Sequence, residues 1–179
     1  MKLIVLDRDG VINFDSDHYI KSPAEWRPIA GSIEAIARLN QNGYRIAVAT
    51  NQSGIGRGLF DMATLNAIND KMMELVFRQG GRIDALFFCP HTATENCNCR
   101  KPRTGMLEEI AARFHTDLKG VPFVGDSLKD LQAAEAVEAQ PILVLTGKGE
   151  KTRKDAGMPK KTLVFESLAE ASRHLILHP

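Results

Sequence analysis

The chain has little that would send it to a membrane, a nucleic acid or an oxidising compartment. Its 179 residues carry 23 Lys and Arg against 22 Asp and Glu, a net charge of +1. No global field therefore recruits nucleic acid or an anionic surface. Long apolar runs are missing. The opening stretch Met1 to Leu6 is apolar apart from Lys2 and meets charge again at Asp7. That is too short for a signal-peptide core or a membrane span, so a cytoplasmic protein is expected. Only three cysteines occur, Cys89, Cys97 and Cys99, all in one short stretch beside His91. An odd, clustered set makes a poor disulfide framework and suggests a metal instead. Repeats, low-complexity tracts and domain linkers are also missing. What remains is ordinary globular composition, 44% hydrophobic and 25% charged, enough for one domain over 1–179 with a real core.

Short apolar runs alternate with helical periodicity. Strands are expected at Lys2–Leu6, Tyr44–Ala49, Ile83–Phe88, Val121–Val124 and Pro141–Leu145, and a sixth at Leu163–Phe165. Between them, Ile33, Ile36 and Ala37 follow a candidate N-cap, Ser32, with Gly43 as the stop. Leu65, Ile68, Met72, Leu75 and Val76 share one face of a longer helix ending at Gly80-Gly81. Leu107, Ile110, Ala111 and Phe114 form another stripe. Further helices are expected at about 128–137 and around Leu168, Ala171 and Leu175. Continuous rather than alternating strands are those covered on both faces. The expected fold is α/β, a parallel sheet sandwiched by helices. The stretch 148–161 is charged and reads as a surface loop.

In such sheets, ligands sit beyond the carboxyl ends of the strands. Asp7-Arg8-Asp9-Gly10, Thr50-Asn51-Gln52-Ser53, Arg100-Lys101-Pro102 and Gly125-Asp126-Ser127 all follow strands. Two carboxylates as close as Asp7 and Asp9 repel unless a cation joins them. With Asp126 arriving from another strand, the site can hold Mg²⁺, a hard ion that prefers oxygen. A carboxylate there can attack phosphorus, and the second can protonate the leaving oxygen and later activate water. Thr50 and Lys101 can hold the phosphoryl oxygens. A lone Asp or Thr after a strand is ordinarily a turn-former or helix cap, but here such features occur at several strand ends. Gly54-x-Gly56-x-Gly58 matches neither nucleotide-loop spacing and reads as a turn.

Cys89-x-His91 and Cys97-x-Cys99 offer three thiolates and an imidazole in a loop of about 89–105. That is the ligand count of a closed, structural Zn²⁺ site. The alternative is a set of reduced thiols. The zinc would stiffen the loop that carries Arg100 and Lys101 directly after Cys99.

Asp7-x-Asp9-Gly10, Thr50-Asn51, Lys101 and the segment from Gly125 to Asp130 together resemble the four motifs of the haloacid dehalogenase superfamily. The match spans the first strand through the helix after Asp126. No segment between the motifs is long enough for a large cap domain, and that resemblance implies a Rossmann-like fold, Asp7 as the nucleophile and Asp9 as general acid/base. It implies Mg²⁺ held by the Asp7 and Asp126 carboxylates and the Asp9 backbone carbonyl. Asp130 is either a support of that metal or a solvated helix acid. Within the superfamily, the zinc loop and the segments Asp7–Asn13 and Thr50–Ile55 are similar to the branch that takes small phosphorylated metabolites. That resemblance, not periodicity or charge, implies a heptose 1,7-bisphosphate as substrate, losing its C7 phosphate during lipopolysaccharide precursor synthesis. Histidinol phosphate is the alternative, and a zinc-stabilised binding module without catalysis is the alternative of another class. Arg100 can meet a second anion bidentately, or make a surface ion pair. Asn51, Gln52 and Ser53, and Asp15, Ser16, Asp17 and His18 from the loop after the first strand, are candidate substrate contacts. Many members carry Lys where Ser127 stands, so a phosphate contact at that position is in doubt. Trp26 either helps to cover the site or is an ordinary buried aromatic. His115, His174 and His178 read as surface residues. A monomer is expected, with no nucleic-acid or membrane partner.

Overall fold

A computed structural model describes residues 1–179. Six strands form one sheet: β1 (Lys2–Leu6), β2 (Tyr44–Asn51), β3 (Ala85–Cys89), β4 (Pro122–Gly125), β5 (Gln140–Val144) and β6 (Leu163–Phe165). Their order is β3-β2-β1-β4-β5-β6, and every pairing is parallel. The helices are α1 (Ser32–Gln41), α2 (Met62–Arg78), α3 (Gly105–Phe114), α4 (Leu128–Ala136), α5 (Gly149–Thr152) and α6 (Leu168–Leu177). None is long and apolar enough to cross a membrane.

The inner strands feed two cores because successive side chains point to opposite faces, while β6 at the edge leaves Leu163 and Val164 exposed. Ile4, Leu6, Ile46, Val48, Ile142 and Val144 pack with α1, α2 and α6. Leu3, Val5, Ala47, Ala49 and Phe123 pack with α3 and α4. This is the expected α/β sandwich, and the continuous apolar runs are explained by burial on both faces. Trp26 lies fully buried in the larger core, so it is a packing residue and not a cover for the site.

Some boundaries differ from the sequence expectation. α1 is capped by Gly31, not Ser32. Ser32 is the first helical residue, and its hydroxyl donates to the Ile12 carbonyl at 2.6 Å. β3 starts at Ala85, because Asp84 turns its carboxylate onto the Ile46 N–H and the Arg45 and Arg82 guanidinium groups. The stretch 148–161 is not merely a surface loop. It opens with α5, whose Thr152 is buried and donates to the Asp126 carbonyl at 2.8 Å.

β1 is the switch point. The chain moves from it to β2 on one side and later returns to β4 on the other. A crevice opens at such a reversal, outside the carboxyl ends of the strands. Asp7 follows β1 there, with its N–H on the Val124 carbonyl of β4 at 2.9 Å.

Candidate active site

At the switch point lies a cleft of about 430 Å³ lined almost wholly by polar side chains. Asp7, Asp9, Asp15, Ser16, Asp17, Thr50, Asn51, Gln52, Ser53, Arg100, Lys101, Asp126 and Ser127 all line it. Lys129, Asp130, Lys148, Lys151, Thr152 and Asp155 complete the polar wall. The sequence motifs thus converge as expected, with one exception. His18 is exposed and lies against a neighbouring depression with Phe14, Lys21 and Glu25.

Asp7 is buried. Its Oδ1 accepts from the Arg8 N–H at 2.8 Å and pairs with Lys101 Nζ at 3.0 Å. Lys101 is buried too and reaches Asp130 Oδ1 at 2.6 Å and the Ala49 carbonyl at 2.7 Å. Asp130 is 1% exposed, so it is not a solvated helix acid. Its other oxygen closes a capping box with Ser127, whose hydroxyl donates to it at 2.7 Å. Ser127 is therefore committed to the helix start.

Asp126 is buried beside them, and its Oδ2 accepts from the Lys148 N–H at 2.8 Å. Space for that carboxylate comes from Gly10, at φ +82, and Gly147. A Cβ on either would come within 2.0 or 2.2 Å of Asp126 Oδ2.

The carboxylates of Asp7, Asp126 and Asp130 lie within 4.8 Å of one another. One lysine meets two of them. The set is therefore short of positive charge, and a divalent ion fits the deficit. The titration behaviour agrees. Burial, then the Asp130 charge, pushes Asp7 well above the usual carboxylate range, with Lys101 opposing. The same two causes push Asp126 up to about 7. Asp130 spends both oxygens on Lys101 and Ser127, which leaves Asp7 and Asp126 as the carboxylates free to hold Mg²⁺.

Asp9 stands apart from this group. Burial works to raise its pKa, but Arg8 and hydrogen bonds from Asn13 and Gln52 outweigh it and hold the carboxyl low. Gln52 Nε2 donates to Asp9 Oδ2 at 2.8 Å and to Thr50 Oγ1 at 2.9 Å. Asn51 exchanges two hydrogen bonds with the Lys101 backbone, at 3.0 and 3.1 Å. The side chains of Asn51 and Gln52 thus position Lys101 and Asp9, although both residues also line the cleft.

The loop after β3 gathers Cys89, His91, Cys97 and Cys99. Cys89 Sγ lies 3.7 Å from Cys97 Sγ, 2.9 Å from Cys99 Sγ and 3.5 Å from His91 Nδ1. His91 Nδ1 lies 3.2 Å from Cys99 Sγ. The Gly56 N–H donates to the Pro90 carbonyl at 2.9 Å, which ties the Gly54–Gly58 turn to the start of this loop. Arg100 is half-buried at the cleft, with Nη1 on the His91 carbonyl at 3.3 Å.

Sequence reasoning missed Lys148, Lys151 and Thr152, which reach the cleft from the supposed surface loop. Lys148 Nζ pairs with Asp15 at 3.3 Å across the mouth. The excess of lysine in that stretch was the only signal available.

Comparison with known proteins agrees with this geometry. A family described as HAD-hydrolase-like matches residues 98–171. The chain is 55% identical over 176 residues to D-glycero-β-D-manno-heptose-1,7-bisphosphate 7-phosphatase of Pseudomonas putida, covering 98% of this chain and 100% of that protein. It is 54% identical to the Bordetella bronchiseptica protein of the same name, over 98% of each. The crystal structure of D,D-heptose 1,7-bisphosphate phosphatase from B. bronchiseptica, complexed with magnesium and phosphate, superposes with a TM-score of 0.98, 54% identity and 100% coverage of both chains. The Burkholderia thailandensis D,D-heptose 1,7-bisphosphate phosphatase superposes with a TM-score of 0.79, 51% identity and 98% and 99% coverage.

Proposed function

The chain belongs to the HAD-like D-glycero-β-D-manno-heptose-1,7-bisphosphate 7-phosphatases, and from that premise we propose that it removes the C7 phosphate through a covalent phosphate on Asp7. One observation carries the reading. Buried Lys101 bridges Asp7 and Asp130 beside Asp126, in a chain that matches a magnesium- and phosphate-bound phosphatase end to end.

Asp7 attacks phosphorus with a carboxylate oxygen. Its Oδ1 is held by Arg8 and Lys101, and this fixes the carboxylate before substrate arrives. As the new P–O bond forms, the bond from phosphorus to O7 of the sugar breaks. Arg8, Asn13 and Gln52 hold Asp9 as a carboxylate in the free protein, so Asp9 takes up a proton from solvent as the anionic substrate binds, gives it to the departing oxygen, and sheds it again after turnover. Water then attacks the phosphorus on Asp7 and gives its proton to Asp9. Phosphate leaves, and both carboxyls return to their starting states. Lys101 and the Thr50 hydroxyl offer donors to the phosphoryl oxygens. The Asp7 and Asp126 carboxylates and the Asp9 carbonyl would hold Mg²⁺, which when bound would screen the repulsion between nucleophile and phosphate.

Specificity follows from the rim. Arg100 is the candidate for the phosphate that remains, with Asp15, Ser16, Asp17 and Ser53 near the sugar hydroxyls. His18 plays no part in this reading, since it lies outside the cleft. The relatives named above favour the heptose bisphosphate over histidinol phosphate, and an enzyme over a binding module.

Zn²⁺ is the proposed ion of the Cys/His cluster. Ordinary zinc bond lengths in a tetrahedron give sulfur–sulfur edges of about 3.8 Å and sulfur–nitrogen edges of about 3.5 Å. The Cys89–Cys97 and Cys89–His91 separations of 3.7 and 3.5 Å suit that shape, whereas Cys99, at 2.9 Å from Cys89 and 3.2 Å from His91, sits closer and must draw back to complete it. Its task is to stiffen the segment that delivers Arg100 and Lys101. The unpaired thiols suit a reducing compartment, so we assign the protein to the cytoplasm, as a monomer acting in lipopolysaccharide precursor synthesis.

A phosphate-release screen with Mg²⁺ tests the assignment. Both anomers of the heptose bisphosphate and histidinol phosphate are compared. A larger kcat/KM for histidinol phosphate would defeat the substrate assignment.

A further inference from the structure

The chemistry above leaves one buried charge without a task. Arg8 has no exposed surface, although it sits between the two acids of the first motif. A buried guanidinium is tolerable only when its donors are satisfied. Nε and Nη2 donate to the Asp9 carboxylate at 3.2, 3.0 and 3.2 Å. Nη1 donates to Asn69 Oδ1, on α2, at 3.1 Å.

Asn69 is itself unusual. It is 5% exposed on the face of α2 that otherwise buries Leu65, Ile68, Met72 and Val76. An apolar residue would suit that face better by packing alone. Asn69 supplies the one thing the core lacks, an acceptor for Arg8. The guanidinium is planar and its donors are fixed in a fork, so anchoring one end fixes the direction of the other.

We propose that Arg8 and Asn69 act as positioning residues that aim the Asp9 carboxyl, so that α2 sets the geometry of proton transfer to the leaving oxygen. This rests on the phosphatase reading above. In the first half-reaction, the bond from Asp7 to phosphorus forms, the bond to the sugar oxygen breaks, and that oxygen takes the proton that Asp9, a carboxylate paired with Arg8 in the free protein, has gained on binding the anionic substrate. A sugar alkoxide leaves poorly without that proton. A nitrophenolate leaves readily without it.

The test compares kcat/KM of Asn69→Leu and wild type on heptose 1,7-bisphosphate and on p-nitrophenyl phosphate. This constant reports the steps through loss of the leaving group. General acid catalysis supplies roughly 10²–10⁴-fold, so misaiming the acid should cost the sugar substrate about tenfold or more. The aryl substrate should be nearly unaffected. Asn69→Asp keeps an acceptor for Arg8 and should restore the ratio. Should Asn69→Leu fail to fold by circular dichroism, Arg8→Lys removes the fork while keeping the charge, and the same ratio is read. Equal losses on both substrates, or no change on either, would overturn the inference. A wild-type protein inactive on both substrates would overturn the phosphatase reading itself.

Discussion

Alanine at position 10 would meet two separate obstacles, and a control at position 43 separates them. Gly10 and Gly43 share nearly the same positive φ, +82 and +83. A side chain in that region costs about 1–2 kcal/mol. For a domain of this size, such a loss lowers Tm by roughly 2–8 °C. A Cβ at Gly43 would meet nothing within 4 Å, whereas one at Gly10 would lie 2.0 Å from Asp126 Oδ2. Ordinary contact begins near 3.4 Å, so the Asp126 carboxylate must retreat by more than an ångström. Misplacing a reacting or metal-binding group by that distance costs roughly 10²-fold in rate. Gly43→Ala should therefore lose stability alone. Gly10→Ala should lose comparable stability or more, together with about 10²-fold in phosphate release and a shift to higher Mg²⁺ requirement. Thermal melts and Mg²⁺ titrations of both variants check this. If Gly10→Ala kept the turnover and Mg²⁺ dependence of Gly43→Ala, the placement of Asp126 as a metal ligand would be wrong.

Lys101→Met leaves Asp7 and Asp130 facing each other without their shared cation. Breaking such a buried pair costs about 3–5 kcal/mol, so a melt should show a large drop in Tm and the assay a large drop in kcat. A variant with wild-type Tm would refute the buried triad. Magnesium should stabilise the protein more at high pH than at low. Asp126 is pushed up to about 7 by burial and Asp130, so below that pH the folded metal-free site holds a proton that the unfolded chain has lost. Metal-free stability therefore falls as pH rises toward 7, and Mg²⁺ need not displace a proton above it. The Mg²⁺-induced rise in Tm should be larger at about pH 8 than at about pH 5.5, and the same rise at both would count against the site. Elemental analysis should find about one zinc per chain, with less in Cys97→Ser. A zinc-free protein with full activity and unchanged Tm would remove the loop assignment.

Much of this was readable from residue order, because some signals are local. The apolar runs of β1, β2 and β5 and the stripes of α2 and α3 are set by periodicity. The short motifs at strand ends carry the reaction class. Contacts between distant segments are not local. Nothing near Asp130 says that its partner will be Lys101, and that pairing decides between the two sequence readings, metal support or solvated helix acid, against the solvated one. Asn51 and Gln52 read as substrate contacts because they follow Thr50. Both do line the cleft, and their amides also bind Lys101 and Asp9, which arrive from other strands. Ser32 resembles an N-cap by composition, but the Ile12 carbonyl claims its hydroxyl and Gly31 takes the cap. Lys148 and Thr152 were hidden in a charged stretch until β5 delivered it to the edge beside Asp126. Arg8, between two recognisable acids, gave no sign of its anchor on α2.

The covalent role of Asp7 is tested most directly by rapid acid quench during turnover of heptose 1,7-bisphosphate, followed by mass spectrometry of the peptide that contains it. Wild type with Mg²⁺ should carry one transient phosphoryl group on Asp7, and Asp7→Asn should carry none and release no phosphate. Full turnover by Asp7→Asn, or rapid product formation with no phosphate on the protein at any time, would contradict the account.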